Sequence, residues 1–408
     1  MPTRSRTYLP TDWQVWTYTP VAGKFRLDFS VLNGTDVLGA VGNVGSLQVL
    51  DLAITNIQID DGQRPEQGVF FTFAPATMSL SAQIVDWSDA LVKELYNGKQ
   101  IFLTLKNEAS TNHSTFGKNT VFFIGQIDNL DINVDPINLV TNLTISATDV
   151  SGAAVNVPIT VTKSVSKGVA IEAGFVAAQT AGQISQYLDF DLFAILGTSW
   201  EFGGTYTTTF GELMTEYIQG EVAEAGGFFY QYKSGPTVYL NRSLYGRTVS
   251  ANSELGRLIP DDITTNIIFG QDGANLPTAF DLSNSSASYS YGTVSASILG
   301  NPTIYTATMD VPTLALETIA DKISEYTQKI QPTEVTVRTA RSYQEIVFDN
   351  PAGGGSEYFY PVNFYFNAEE VKTTPAFTGG TYYHTIVGTS HTITPDDWQT
   401  TYQLWKGL

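Results

Sequence analysis

Apolar residues recur at every second position over much of this chain, in runs short enough to be single strands. From Tyr383 to Leu404 (YHTIVGTSHTITPDDWQTTYQL), β-branched residues continue to Ile393, Thr-Pro-Asp-Asp breaks the run, and Trp398, Thr400, Tyr402 and Leu404 follow at a spacing of two. Period two puts those side chains on one face, so the spacing predicts a hairpin with an acidic, proline-containing turn and one apolar face. The stretch Val121 to Thr148 has the same order: a glycine-bearing strand, an Asp-Pro break, then an alternating strand. There Leu139, Thr141, Leu143 and Ile145 face one way and Val140, Asn142, Thr144 and Ser146 the other. Two related hairpins predict two related β-units.

Between Leu47 and Val150 the alternation repeats in LQVLDLAITNIQI, TMSLSAQIV and QIFLTL, with Asp61-Gly62 and Asn97-Gly98 as turn signals and a short helix expected over Ser88 to Tyr96. Strands at this spacing make a barrel or a sandwich. Residues 151–256 change character. Thr209-Phe-Gly-Glu212 is a capping box, and Leu213, Met214, Tyr217, Ile218 and Val222 follow at helical spacing until Gly226-Gly227. A hairpin, FFYQY to TVYLNR, comes next. Beyond Leu258 strands return around one amphipathic helix, Thr313 to Ile330, ended by Pro332. The predicted organisation is therefore mainly β with an α+β insertion: 1–150 an N-terminal β-unit, 151–256 an α+β middle, and 257–408 a C-terminal β-unit with one helix.

The length of 408 residues exceeds one ordinary core and fits two or three domains. Forty acidic against 21 basic residues give a formal charge of −19, which disfavours a lasting grip on phosphate backbones. The absence of cysteine excludes disulfides and thiolate chemistry. No apolar run approaches the roughly 20 residues needed to span a bilayer, Gly168 to Ala178 being the longest. The N-terminus MPTRSRTYLP lacks the apolar centre of a secretion signal, so no signal-peptide export is expected.

Candidate chemistry is sparse. Glu212, Glu216, Glu221 and Glu224 could pair as glycosidase carboxylates, but they lie opposite the apolar stripe of their helix, as a solvated face does. Asp131, Asn133 and Asp135 alternate like calcium ligands, yet Pro136 stands where the loop glycine belongs. A turn between strands is the better account, and a non-standard calcium site stays open. His384 and His391 are seven apart in one strand and should face opposite ways; His113 lies far from both. Gly39, Gly42 and Gly45 match neither a dinucleotide fingerprint nor a phosphate loop. No catalytic, cofactor-binding or metal residues are assigned, and no cofactor.

The order of features carries a resemblance. GKQIFLTLKN, a polar loop, VFFIGQIDNLDI and VTNLTISATDVSGAAVNV resemble the first barrel of minor tail proteins of long-tailed phages, particularly the tail-tip hub. AEAGGFFYQYKSGPTVYLNRS resembles the hub segment in which a helix leads into a hairpin ending in an arginine, here Arg242. The helix LALETIADKISEYTQKIQP and HTITPDDWQTTYQL resemble the C-terminal barrel. The resemblance implies two tail-tube-like barrels joined by a smaller α+β region, in a homotrimer between a distal tail ring or tail tube above and a central fibre or spike below. A tape measure protein is a further candidate neighbour. It implies a virion protein of the tail tip, assembled in the host cytoplasm, part of the DNA-ejection channel in host entry, without catalysis. The alternatives are a hexameric distal tail protein and a tail-associated polysaccharide-degrading enzyme.

Overall fold

The computed structural model describes residues 13–20, 45–50, 52–62, 73–84, 95–106, 119–138, 140–163, 167–184, 188–191, 203–215, 229–234, 237–242, 264–270, 279–283, 288–292, 304–308, 331–338, 363–367 and 381–405. The N-terminal part supplies β1 (Trp13–Pro20), β2 (Gly45–Leu50), β3 (Leu52–Gly62), β4 (Thr77–Ile84), β5 (Gln100–Lys106), β6 (Asn119–Asp135) and β7 (Val140–Asp149). The middle carries β8 (Pro158–Thr162), helix α1 (Lys167–Thr180), β9 (Leu188–Asp191), β10 (Thr205–Thr209), β11 (Phe229–Ser234) and β12 (Thr237–Arg242). Then come β13 (Thr264–Gly270), β14 (Ala279–Ser283), β15 (Ser288–Gly292), β16 (Ile304–Thr308), β17 (Gln331–Arg338), β18 (Asn363–Asn367), β19 (Thr381–Ile393) and β20 (Trp398–Trp405).

Twelve strands form one sheet in the order β13-β17-β20-β19-β3-β4-β7-β6-β5-β1-β2, with β18 also on β19. Two paths within it are the same. Counted in chain order, the five strands of β3-β4-β7-β6-β5 and of β13-β17-β20-β19-β18 both run first, second, fifth, fourth, third, every pair antiparallel. The predicted hairpins, β6–β7 and β19–β20, are the fourth and fifth strands of each unit.

The bulges fix the alignment residue by residue. A bulge leaves one residue unpaired and shifts the ladder; the fourth strands slip at Asp128 and at Val387, the first strands at Thr55 and at Thr265. Thr55 Oγ1 donates to the Ser81 carbonyl at 3.0 Å, and Thr265 Oγ1 to the Thr336 carbonyl at 3.1 Å. Ser81 pairs with Thr144, and Thr336 with Thr401. Counting from the other bulge also matches Thr144 to Thr401. Gln126 opposite Gln100 likewise matches Thr385 opposite Asn363. The sequence keeps a trace of this in Thr-Asn-Ile at 55–57 and again at 265–267.

The same alignment corrects one sequence expectation. The two strand glycines do not correspond: Gly125 takes the place of His384, and Gly388 that of Asn129. Gly125 has its own cause, because a Cβ there would lie 2.4 Å from the Thr148 carbonyl oxygen and 2.5 Å from the Phe123 ring.

Burial follows the pleat. Leu143, Ile145 and Ala147 of β7 pack on the inner face with Met78, Leu80 and Ala82 of β4, all buried. Burying such side chains stabilises by about 1.5–3 kcal/mol for each of the larger ones. Asp149 closes the unit: its carboxylate accepts from the Ala76 amide at 3.0 Å, the Ser151 hydroxyl at 2.6 Å and the Gly152 amide at 2.9 Å. Three charge-assisted donors offset the cost of burying it.

The middle is α+β, as expected. The apolar run at Gly168 to Ala178 becomes α1, whose Ala170, Ile171, Phe175 and Ala178 are buried. Gly174 lets the helix settle on β8, since a Cβ there would meet the Ile159 methyl at 2.7 Å. Among the described residues no helix is long and apolar enough to cross a membrane. Phe210 lies between Phe73, at 5.6 Å and edge-on, and Phe175, at 6.0 Å, and the Phe73 amide donates to Thr215 Oγ1 at 3.1 Å. These contacts join the middle to the first unit. The predicted hairpin is β11–β12, to which β9 adds a parallel strand. Within the C-terminal third, β14, β15 and β16 make a separate three-stranded sheet between the first and second strands of the repeat unit. Most of Ser88 to Tyr96, the helix Thr313 to Ile330, and Tyr217, Ile218 and Val222 lie outside the described residues.

Candidate assembly interface

The two units meet edge to edge through their backbones. The outer edge of β19 is shared: Thr381 to Thr385 pair with β18 of the same unit, and Gly388 to Ile393 pair with β3 of the other. Across this joint Ile57 faces Ile393, Ile59 faces His391, and Gln58 faces Thr392. Alternation decides which face closes. Ile57, Ile59, His391 and Ile393 are 0%, 2%, 3% and 4% exposed, whereas Gln58 and Thr392 are exposed.

Trp398 packs behind the joint, its ring edge-on to Trp13 at 5.2 Å. It is buried, as the alternation predicts, with Thr400 and Tyr402; the Leu404 side chain lies outside the described residues. Its surroundings differ from the expectation of a self-contained C-terminal core. Trp398 and Ile393 belong to one hydrophobic cluster with Trp13, Ile57 and Ile59 of the first unit. Buried His391 places Nδ1 2.7 Å from Thr400 Oγ1, with Trp398 Nε1 donating to it at 3.4 Å. Sequence reading missed Trp13, Ile57 and Ile59 as joint residues; of the three, only Ile57 carries a signal, the repeated Thr-Asn-Ile.

The residues weighed for chemistry have local duties. Glu212 closes the capping box: its carboxylate accepts from the Thr209 amide at 3.2 Å and the Thr208 hydroxyl at 2.9 Å, and its own amide donates to Thr209 Oγ1 at 3.3 Å. These bonds, the Thr209 amide foremost, hold its pKa below the ordinary range. Glu216, Glu221 and Glu224 lie outside the described residues. Asp131, Asn133 and Asp135 sit in β6, and Asp135 is engaged by its turn, accepting from Asn138 Nδ2 at 2.7 Å, the Ile137 amide at 2.9 Å and the Asn138 amide at 3.1 Å. The Asn138 side chain is the largest cause of its lowered pKa. Asn129 Nδ2 donates to Asp131 at 3.1 Å. Among the described residues no three acidic or histidine side chains gather as metal ligands.

The bulge at Val387 lies between His384 and His391 and absorbs one residue, so their seven-residue spacing spans six ladder steps, about 20 Å at strand rise. His391 is buried, and the His384 side chain lies outside the described residues. His113 lies outside the described residues.

Fold and joint together define a duplicated β-unit protein whose two units share one sheet through paired strand edges. No protein-family model matches the chain, and neither does any curated protein sequence. Solved structures do. A tail protein from Neisseria meningitidis aligns over 90% of this chain and 96% of its own, with 12% identity and a TM-score of 0.52. The 43 kDa tail protein of prophage MuSo2 from Shewanella oneidensis aligns over 88% and 95%, with 11% identity and a TM-score of 0.51. The Francisella PdpA-VgrG complex aligns over 97% of this chain and 58% of its own, with 10% identity and a TM-score of 0.49. The chain thus has the fold of phage tail proteins.

Proposed function

We propose that this chain is a structural virion protein, the trimeric hub of a phage tail tip. It adapts a six-fold tail tube to a three-fold central fibre or spike and lines part of the DNA-ejection channel. One observation carries the reading: a single chain with a tail-protein fold holds two copies of one five-strand unit. Three chains then present six equivalent units to the tube, whereas a six-fold ring needs only one unit per chain. In this reading residues 1–150 and 257–408 each close as a tube-like barrel, and 151–256 forms the smaller hub domain between them. The distal tail ring or tail tube binds above, the fibre or spike below, and the excess of 19 negative charges lets DNA pass without lasting contacts. The work is mechanical and no catalytic residue is assigned. Native mass measurement of the purified assembly tests it: three times 44.5 kDa is expected. Six copies would move the assignment to the distal tail ring, and a monomer that cleaves host polysaccharide would replace it with an enzyme.

A further inference from the structure

Among the described residues the joint between the two units occurs once, and both of its halves recur without a strand partner elsewhere. The first strand of the second unit, β13, holds the place of β3; among the described residues it pairs only with β17. The fourth strand of the first unit, β6, holds the place of β19. Its outer edge pairs with β5 as far as Gln126, as that of β19 pairs with β18 as far as Thr385. Beyond the Asp128 bulge, where β19 receives β3, no described strand pairs with that edge of β6. An edge of open amides and carbonyls is a template for another strand.

The side chains on the covered face of the β6 edge are apolar and differ from their counterparts in exposure. Ile132 and Val134 stand where His391 and Ile393 stand in the joint. Their counterparts are 3% and 4% exposed, while Ile132 is 40% and Val134 60% exposed. On β13, Ile268 holds the place of Gln58, on the face that the joint leaves exposed, and is 43% exposed. On β6, Ile132 and Val134 are the apolar residues that the joint would cover.

We infer that β13 of one chain pairs antiparallel with β6 of a second copy, repeating the β3–β19 joint between chains. Carrying the register across gives Ile267 opposite Val134 of the second copy, Ile268 opposite Asn133, Phe269 opposite Ile132, and Gly270 opposite Asp131. The occupant is a copy of this chain because it offers the first-strand edge at one end and the fourth-strand edge at the other. The contact is head to tail and closes only as a ring. The proposal rests on the trimeric reading for the number of copies and on the internal repeat for the contact itself.

Thiol pairing tests the register, and the native chain contributes no cysteine to confuse it. The Thr333 hydroxyl donates to the Ile268 carbonyl at 3.2 Å, which turns that peptide towards β17. Ile268 and Asn133 are then a non-hydrogen-bonded pair, with Cα atoms about 4.5 Å apart, inside the range a disulfide spans. Oxidised Ile268→Cys/Asn133→Cys full-length protein should run on non-reducing gels as linked species ending at three chains, and return to one chain with reductant. Each single variant, and the out-of-register pair Ile268→Cys/Ile132→Cys, should stay as one chain. Three copies by native mass without linkage of the in-register pair would overturn the register and leave the hub reading standing. Linkage of Asn133→Cys alone would mean that β6 pairs with itself, and would overturn the contact. A ladder running past three chains would support the contact and sink the three-copy reading. Independently, Val134→Lys, at an exposed position, should keep the parent's circular dichroism and abolish the oligomer; an assembly of unchanged mass would overturn the inference.

Discussion

Removing the Trp398 ring should break the tie between the two units, and the size of the effect follows from its surroundings. The side chain is 4% exposed, stands edge-on to Trp13 at 5.2 Å, and shares a cluster with Ile57 and Ile393 of the joint. Emptying a buried aromatic site costs about 3–5 kcal/mol. Of this, about 0.5–1.5 kcal/mol belongs to the ring pair itself. Trp398→Ala and Trp13→Ala should therefore each be strongly destabilising, and the double variant should cost less than their sum by about 1 kcal/mol. Urea unfolding of the full chain followed by far-ultraviolet circular dichroism measures all three, because the signal comes from the common sheet. A Trp398→Ala variant within about 1 kcal/mol of the parent would refute the burial argument. Strict additivity would refute the contact between the rings.

Gly125→Ala should destabilise by about 1–3 kcal/mol, the range for forcing extra atoms into a packed site, since its Cβ would meet both the Thr148 carbonyl and the Phe123 ring; an unchanged unfolding midpoint would contradict the close approach. Glu212 is held below its ordinary pKa of 4.5, chiefly by the Thr209 amide. A depressed folded pKa means that the capping box contributes fully above the ordinary value and fades as pH falls through the lowered one. A carboxyl titration midpoint for Glu212 at or above 4.5, read by NMR, would contradict the box.

How far the sequence announces this structure depends on the range of each interaction. Both hairpins were legible because a proline turn and a period of two are local signals, and the Thr209 box because its partners lie within one helical turn. The joint was not. Ile57 and Ile393 are paired from opposite ends of the chain, and nothing in the neighbourhood of either names the other. The bulges of the fourth strands, at Asp128 and Val387, were equally silent, since a single unpaired residue there leaves no compositional mark. That silence is why the shared glycines looked equivalent. The repeat was visible in outline from its hairpins, but its residue-by-residue form needed the Thr55 and Thr265 bulges as fixed points. The β14–β16 sheet was hidden because its strands read like any others in that third of the chain.

The β3–β19 joint also sets an order of events during synthesis. β3 leaves the ribosome long before its partner strand β19. Until β19 arrives, β3 is a growing chain's uncovered border, and contacts between such distant segments form slowly. Transient open borders of this kind invite association with the wrong strand. A polypeptide cut short before Thr381 would keep that border for good. Synthesis of β19 is thereby written into the fold as the step that seals the first unit, and fragments lacking the β19–β20 hairpin should accumulate as aggregates rather than as smaller soluble tail parts.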